Sequence, residues 1–150
     1  MSTRAQIQIK GSEVMIYKHS DGYPSETLPT LIGTMQTFIK ERGNEPDYAL
    51  AQIMRAFARR DEKRRQEQLE RHQNELAKWE EDEPEYESVK MWVDIYGKHR
   101  MTGWGLDTVR HGDIEFLYTV DLSKGVVIVE TGYGEDMGQE KIIKLEEEIK

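Results

Sequence analysis

Residues 59–83 set the first limit on what this chain can fold into. The run is almost entirely Arg, Lys, Glu, Asp and Gln, with only Leu69, Leu76, Ala77 and Trp79 apolar. Such a stretch cannot line a core. It is rich in strong helix formers and carries opposite charges three or four residues apart, as in Glu67 and Arg71. The spacing predicts a charged helical extension, either one long helix or a folded-back pair. The core must come from what flanks it.

Those flanks alternate. In Arg4–Lys10 the residues Ala5, Ile7 and Ile9 fall on one side, with Arg4, Gln6, Gln8 and Lys10 on the other. That is the pattern of a half-buried strand. Gly11-Ser12 is a hairpin turn, and Val14–His19 returns as its second strand. Ile114, Phe116, Tyr118 and Val120 alternate in the same way. A turn at Asp121–Gly125 and a strand at Val126–Glu130 complete a second hairpin.

Between the hairpins, Leu28, Leu31, Ile32, Met35, Phe38 and Ile39 recur at helical spacing. Ser25 or Thr27 is a suitable cap, and Gly43 a natural terminator. Asn44 or Asp47 opens a second helix, with Leu50, Ile53, Met54 and Phe57 facing the core. Pro84 closes the charged run. Val89–Tyr96 reads as a strand from its β-branched and aromatic content, Gly97–Asp107 as a glycine-containing loop or an irregular strand with bends, and Gln139–Ile149 as a short helix. The expected fold is α+β: an antiparallel sheet from N- and C-terminal hairpins, two central helices on one face, and a charged arm continuing the second helix. At 150 residues the chain is expected to form one domain, 1–150, with 59–83 as its extension.

The net charge of −8 argues against nonspecific nucleic-acid binding, which gains affinity by neutralising phosphates with basic side chains. No cysteine is present, so disulfide, thiolate and cysteine-ligated zinc chemistry are excluded. No stretch has the length and apolarity of a membrane span or of a signal peptide core, and a cytoplasmic location is the expectation.

Chemistry-bearing residues gather in two short segments. Tyr17-Lys18-His19-Ser20-Asp21-Gly22-Tyr23-Pro24 leaves a strand and enters a helix. On a strand Tyr17 and His19 share a face, and Asp21 is placed to orient the imidazole. The simpler interpretation is a turn with Asp21 as a backbone cap. His111-Gly112-Asp113-Ile114-Glu115 is the second cluster. If the hairpins join one sheet, it approaches the first. Histidines and carboxylates brought together serve acid–base or metal chemistry, although no close-spaced ligand motif such as two histidines one helical turn apart occurs. Arg4 is a bidentate donor for a phosphate or carboxylate. Trp104, on a glycine-flanked loop, is a stacking platform or a loop anchor. Ser2, exposed by removal of Met1, is an amino-terminal nucleophile in outline only. No phosphate-cradling glycine loop and no serine elbow occurs, and neither cofactor nor metal is expected.

The opening Ser2-Thr3-Arg4-Ala5-Gln6-Ile7, the turn Tyr17-x-His19-x-Asp21-Gly22-Tyr23-Pro24 and the segment His111–Glu115 together resemble a group of small uncharacterised proteins of bacteriophages and bacteria. The resemblance covers about the first thirty residues and a patch near 111–118, and leaves the charged arm outside. It implies a phage or prophage setting and a single site for the three polar segments. The leading expectation is a phage-type accessory binding protein. Its polar pocket is built from Arg4, Tyr17, His19, Asp21, Tyr23, Trp104, His111, Asp113 and Glu115. Its arm presents Arg59, Arg60, Leu69, His72, Leu76 and Trp79 to a protein partner, such as a host defence component, or to a second copy. The alternative is a small hydrolase or phosphoesterase that uses His19 and His111 with nearby carboxylates.

Overall fold

The computed structural model describes residues 3–98, 103–132 and 137–146. Its elements in chain order are β1 (Ala5–Ile9), β2 (Met15–Lys18), α1 (Pro24–Arg42), α2 (Pro46–Leu76), α3 (Pro84–Tyr96), β3 (Trp104–Asp107), β4 (Phe116–Asp121), β5 (Val126–Thr131) and β6 (Glu140–Lys144). The chain divides into two compact units: Met1–Ala56 with Thr102–Lys150, and Phe57–Met101.

The first unit is the α+β domain. Its six-stranded sheet has the order β3-β2-β1-β4-β5-β6. Both expected hairpins form: Ala5 pairs with Lys18 across the first, and Val120 with Val127 across the second. They meet through one parallel pairing, β1 on β4, in which Ala5 lies opposite Phe116 and Ile9 opposite Val120. All other neighbours are antiparallel.

Burial divides the sheet as side-chain alternation requires. Ala5, Ile7, Ile9, Ile16, Tyr118, Val120, Val127 and Val129 are buried on one face. Two helices pack on the sheet. α1 contributes Leu31, Met35 and Phe38, and the start of α2 contributes Ala49, Leu50 and Ile53. Full burial of side chains this size stabilises the fold by roughly 1.5–3 kcal/mol each. Pro24 opens α1 at a position where a missing N–H costs nothing. The expected cap at Ser25 or Thr27 does not form: Tyr23 stands at the N-cap, without a side-chain cap bond. Gly43 ends α1 at φ 75°, its N–H donating to the Ile39 carbonyl.

The strand expected to be half-buried is buried on both sides at its start, since Gln6 is as inaccessible as Ile7. β1 is central, and its second face is covered at that point. The terminal segment, expected as a helix, is instead edge strand β6, pairing Val126 with Lys144 and Glu130 with Glu140. Adjacent Ile142 and Ile143 fit a strand that puts one residue on each face, and a helix so short has little stability of its own. The 97–107 segment, expected as a loop or an irregular strand with bends, holds edge strand β3 over its last four residues.

The second unit is a helical hairpin, so the charged run belongs to a folded-back pair. Here the reading of Val89–Tyr96 as a strand is overturned: these residues lie in α3. Pro84 does not close a helix but opens one, followed by Glu85 and Glu87 in the first turn. Arg65 on α2 bonds Glu62 with both Nε and Nη2 and donates through Nη1 to the Tyr96 carbonyl at the end of α3. His72 stacks on Trp92 and Tyr96, with ring centroids 5.9 and 5.5 Å away.

A methyl group placed on Gly132 would meet the Ile114 carbonyl oxygen at 2.0 Å, whereas one on Gly33, in α1, meets nothing within 4 Å. Gly132→Ala is expected to cost about 1–3 kcal/mol or more in urea unfolding. Gly33→Ala is expected to stabilise by roughly 0.5–1 kcal/mol. Equal midpoints for the two variants would contradict the close approach at Gly132.

Candidate functional site on the open sheet face

The face opposite the helices carries the even-numbered side chains of β1 and the odd-numbered ones of β2. Register sets Gln6 between Tyr17 of β2 and Leu117 of β4. Gln6 is fully buried, and a buried carboxamide must find partners for both ends. It does so in the segment before β4. Its Nε2 donates to the Val109 carbonyl at 2.9 Å, and its Oε1 accepts from the His111 N–H at 2.8 Å. One side chain therefore fixes the 109–111 loop over the sheet.

That anchorage lays His111 on Tyr17, with ring centroids 4.8 Å apart and planes 25° apart. His111 Nε2 meets Asp107 Oδ2 at 2.5 Å. Asp107, the last residue of β3, also accepts from the Thr108 and Val109 N–H groups. The His111 ring, followed by those amides, holds the Asp107 carboxyl below its ordinary carboxylate range. At the tip of Tyr17, its hydroxyl and His19 Nδ1 are 3.3 Å apart. The two imidazoles expected to converge thus share one tyrosine ring. Each has one nitrogen engaged, Nδ1 in His19 and Nε2 in His111.

Arg4 Nη1 donates to Asp113 Oδ2 at 3.0 Å, so the first strand and the His111 segment are joined a second time. The Glu115 N–H donates to the Arg4 carbonyl, and the Glu115 carbonyl accepts from Gly132.

Three expected members fall elsewhere. Asp21 adopts φ 56° in the turn before α1, and among the described residues it makes no hydrogen bond to either imidazole. The role given to it beside His19 is taken by the Tyr17 hydroxyl. Tyr23 is exposed at the start of α1. Trp104 points to the opposite face from Tyr17, because Gly105 is the residue opposite Tyr17 in the register. Its ring lies 5.0 Å from the Lys18 ammonium, a cation–π contact. Ser2 lies outside the described residues.

The Asp-Gly turn is structural in a specific way. Gly22 donates to the Thr3 carbonyl at 2.9 Å and accepts from the buried Tyr118 hydroxyl at 2.6 Å. Burial pushes the Tyr118 pKa up, so this hydroxyl remains a donor at ordinary pH.

Two residues outside the sequence expectation complete the site, Gln6 and Asp107. Gln6 looked like a solvated residue of a two-sided strand. Asp107 stands four residues before His111, a spacing that a carboxylate–imidazole search finds. Among the described residues, no three His, Asp or Glu side chains are grouped to hold a metal ion.

On the helical hairpin, Arg59 is exposed, whereas Arg60 bonds Asp61 and lies 4.7 Å over the Phe57 ring. Leu69, His72, Leu76 and Trp79 are half-buried, and at His72 the expected seam is met by α3 of the same chain. Trp79 also borders a depression with Arg71, Asn74, Glu75 and Lys78. Among the described residues no helix is long and apolar enough to cross a membrane.

Comparison with known protein families, curated proteins and solved structures finds no match.

A carboxyl whose pKa is lowered by folding stabilises the native state above its unfolded pKa, and that contribution is lost as pH falls through the folded value. Acidification through that lowered value, beneath the ordinary aspartate range of about pH 4, is therefore expected to release the 107–111 segment. The His111 amide resonance should report it, and Asp107→Asn should remove that acid transition. The same transition in both proteins would show that Asp107 does not hold the segment.

Proposed function

We propose that this protein is a phage-type accessory binding protein. Its open-face cluster captures an oxyanion, a carboxylate or phosphate carried by a small ligand or a partner's side chain, and its helical hairpin provides a protein-binding surface. The observation that carries this reading is the pair of imidazoles on Tyr17: His111 at 4.8 Å, His19 at 3.3 Å through its Nδ1, each with its second ring nitrogen beyond those contacts. Arg4, whose Nη1 bonds Asp113 two residues beyond His111, adds a guanidinium to the same polar segment. Histidines supply donors that an anion strengthens, and a guanidinium matches the geometry of an oxyanion. The phage setting rests on the resemblance of the three polar segments, and a host defence component as the partner rests on the acidic balance and the polarised arm.

A second reading is favoured by the 2.5 Å contact between Asp107 and His111. A carboxylate fixing an imidazole is the arrangement of a general base. With His19 as the second proton-transfer group, the site would serve a small hydrolase or phosphoesterase.

Ring resonances of His19 and His111 should be followed by NMR during titration with inorganic phosphate and, separately, with acetate, at fixed ionic strength and pH. Binding predicts a saturable shift of both rings with at least one of the two anions, lost in Tyr17→Leu. Neither ring responding beyond a chloride control would remove the oxyanion proposal. Hydrolysis of p-nitrophenyl phosphate or acetate that disappears in His111→Gln would favour the enzymatic reading.

A further inference from the structure

Three carboxylates among the described residues meet the basic side chains of the open-face cluster, and they are not held alike. Asp107 accepts from the Thr108 and Val109 N–H groups besides its contact with His111 Nε2, and is 32% exposed. Glu130 on β5 receives Arg110 Nη1 on both oxygens, at 3.2 and 3.3 Å, and is 23% exposed. Asp113 meets Arg4 through one oxygen, at 3.0 Å, and is 57% exposed. Its side chain makes no second hydrogen bond among the described residues. The adjoining Gly112 stands in open space, since a Cβ added there meets nothing within 4 Å. Asp113 is therefore the most lightly held of the three.

Arg4 is fixed independently of that contact. Its carbonyl accepts from the Glu115 and Phe116 N–H groups where β1 joins β4, so the residue keeps its place when Asp113 turns away. Its Nε is buried and has no hydrogen-bond partner, so among the described residues Nη1 is the one guanidinium nitrogen engaged. A guanidinium is built to hold an oxyanion by two parallel bonds, and Asp113 supplies one. We infer that Asp113 is a built-in competitor: its carboxylate occupies the place on Arg4 that the oxyanion of a ligand takes, and binding exchanges one for the other. The exchange presupposes that the cluster captures an oxyanion, as proposed above, and adds what sets its affinity. It also selects the ligand's charge, because only a carboxylate or a phosphate replaces what Arg4 loses when Asp113 leaves.

The test compares the wild type, Asp113→Asn, Arg4→Gln and the double variant. Each is titrated with acetate and with inorganic phosphate at fixed ionic strength and pH, and the His19 and His111 ring resonances report binding. Asp113→Asn keeps an amide oxygen for Arg4 Nη1, so it removes the charge and leaves the tether. Its affinity for at least one of the two anions is expected to rise by about two- to fivefold, the size that an exposed ion pair carries. Asp113→Ser, a second uncharged variant at this exposed position, should show the same gain. A gain with acetate alone assigns the ligand a carboxylate, and a gain with phosphate alone a phosphate. Removing any negative charge draws anions closer in general, and the double variant separates that effect from exchange on Arg4. In the Arg4→Gln background, Asp113→Asn is expected to bring no gain. A gain that persists without Arg4 overturns the inference. So does wild-type binding that Asp113→Asn and Asp113→Ser leave equal or weaken. The absence of any saturable shift in all of these proteins removes the oxyanion reading itself, and the inference with it.

Discussion

The carboxamide of Gln6 is the interaction on which the candidate site depends. It sits in the central strand of the sheet, where water cannot reach it. A buried amide left without partners costs about 1–3 kcal/mol for each unsatisfied group, so the chain supplies both a carbonyl and an N–H from more than one hundred residues away. Those partners flank Arg110, and fixing them fixes His111. The stacking on Tyr17 and the contact with Asp107 are consequences of that placement. The parallel pairing of β1 with β4 makes it geometrically available, because it brings the segment before β4 beside the start of β1.

The same logic governs the turn before α1. Tyr118 is buried under the helices, and its hydroxyl must be satisfied there. It finds the Gly22 carbonyl, while Gly22 approaches so closely that an added Cβ would lie 2.5 Å from the Ala5 Cβ. The Asp21-Gly22 pair is thus a hinge between strand and helix that only a glycine fits. The polar character of the turn serves this junction, and of the segment's side chains Tyr17 and His19 belong to the site.

Much of the fold was legible because its signals were periodic. Ala5, Ile7 and Ile9, and later Tyr118 and Val120, alternate without ambiguity, and Leu31, Met35 and Phe38 keep helical spacing. Val89–Tyr96 was misread on composition, yet Val89, Trp92, Val93 and Tyr96 have helical spacing, and Pro84 with two following glutamates is a helix start. Periodicity outweighed β propensity there. β6 was hidden for the opposite reason: too few residues carried any period, and the hydrogen bonds offered by the free edge of β5 decided the outcome. Tyr17, His19 and His111 were visible as chemistry, and their convergence hung on the two hairpins sharing a sheet. Gln6 was invisible as an anchor because a polar residue in an alternating strand ordinarily faces water. Only tertiary structure shows that a loop lies over it.

The direct test of this account is amide hydrogen exchange at His111, measured in the wild type and in Gln6→Ala. If the buried carboxamide holds the loop, the wild-type His111 amide is protected well beyond its exposed neighbours, and the variant loses that protection while the β1–β4 amides keep theirs. A His111 amide that exchanges as fast as a free loop in the wild type, or one equally protected in both proteins, would contradict the claim that Gln6 builds the site.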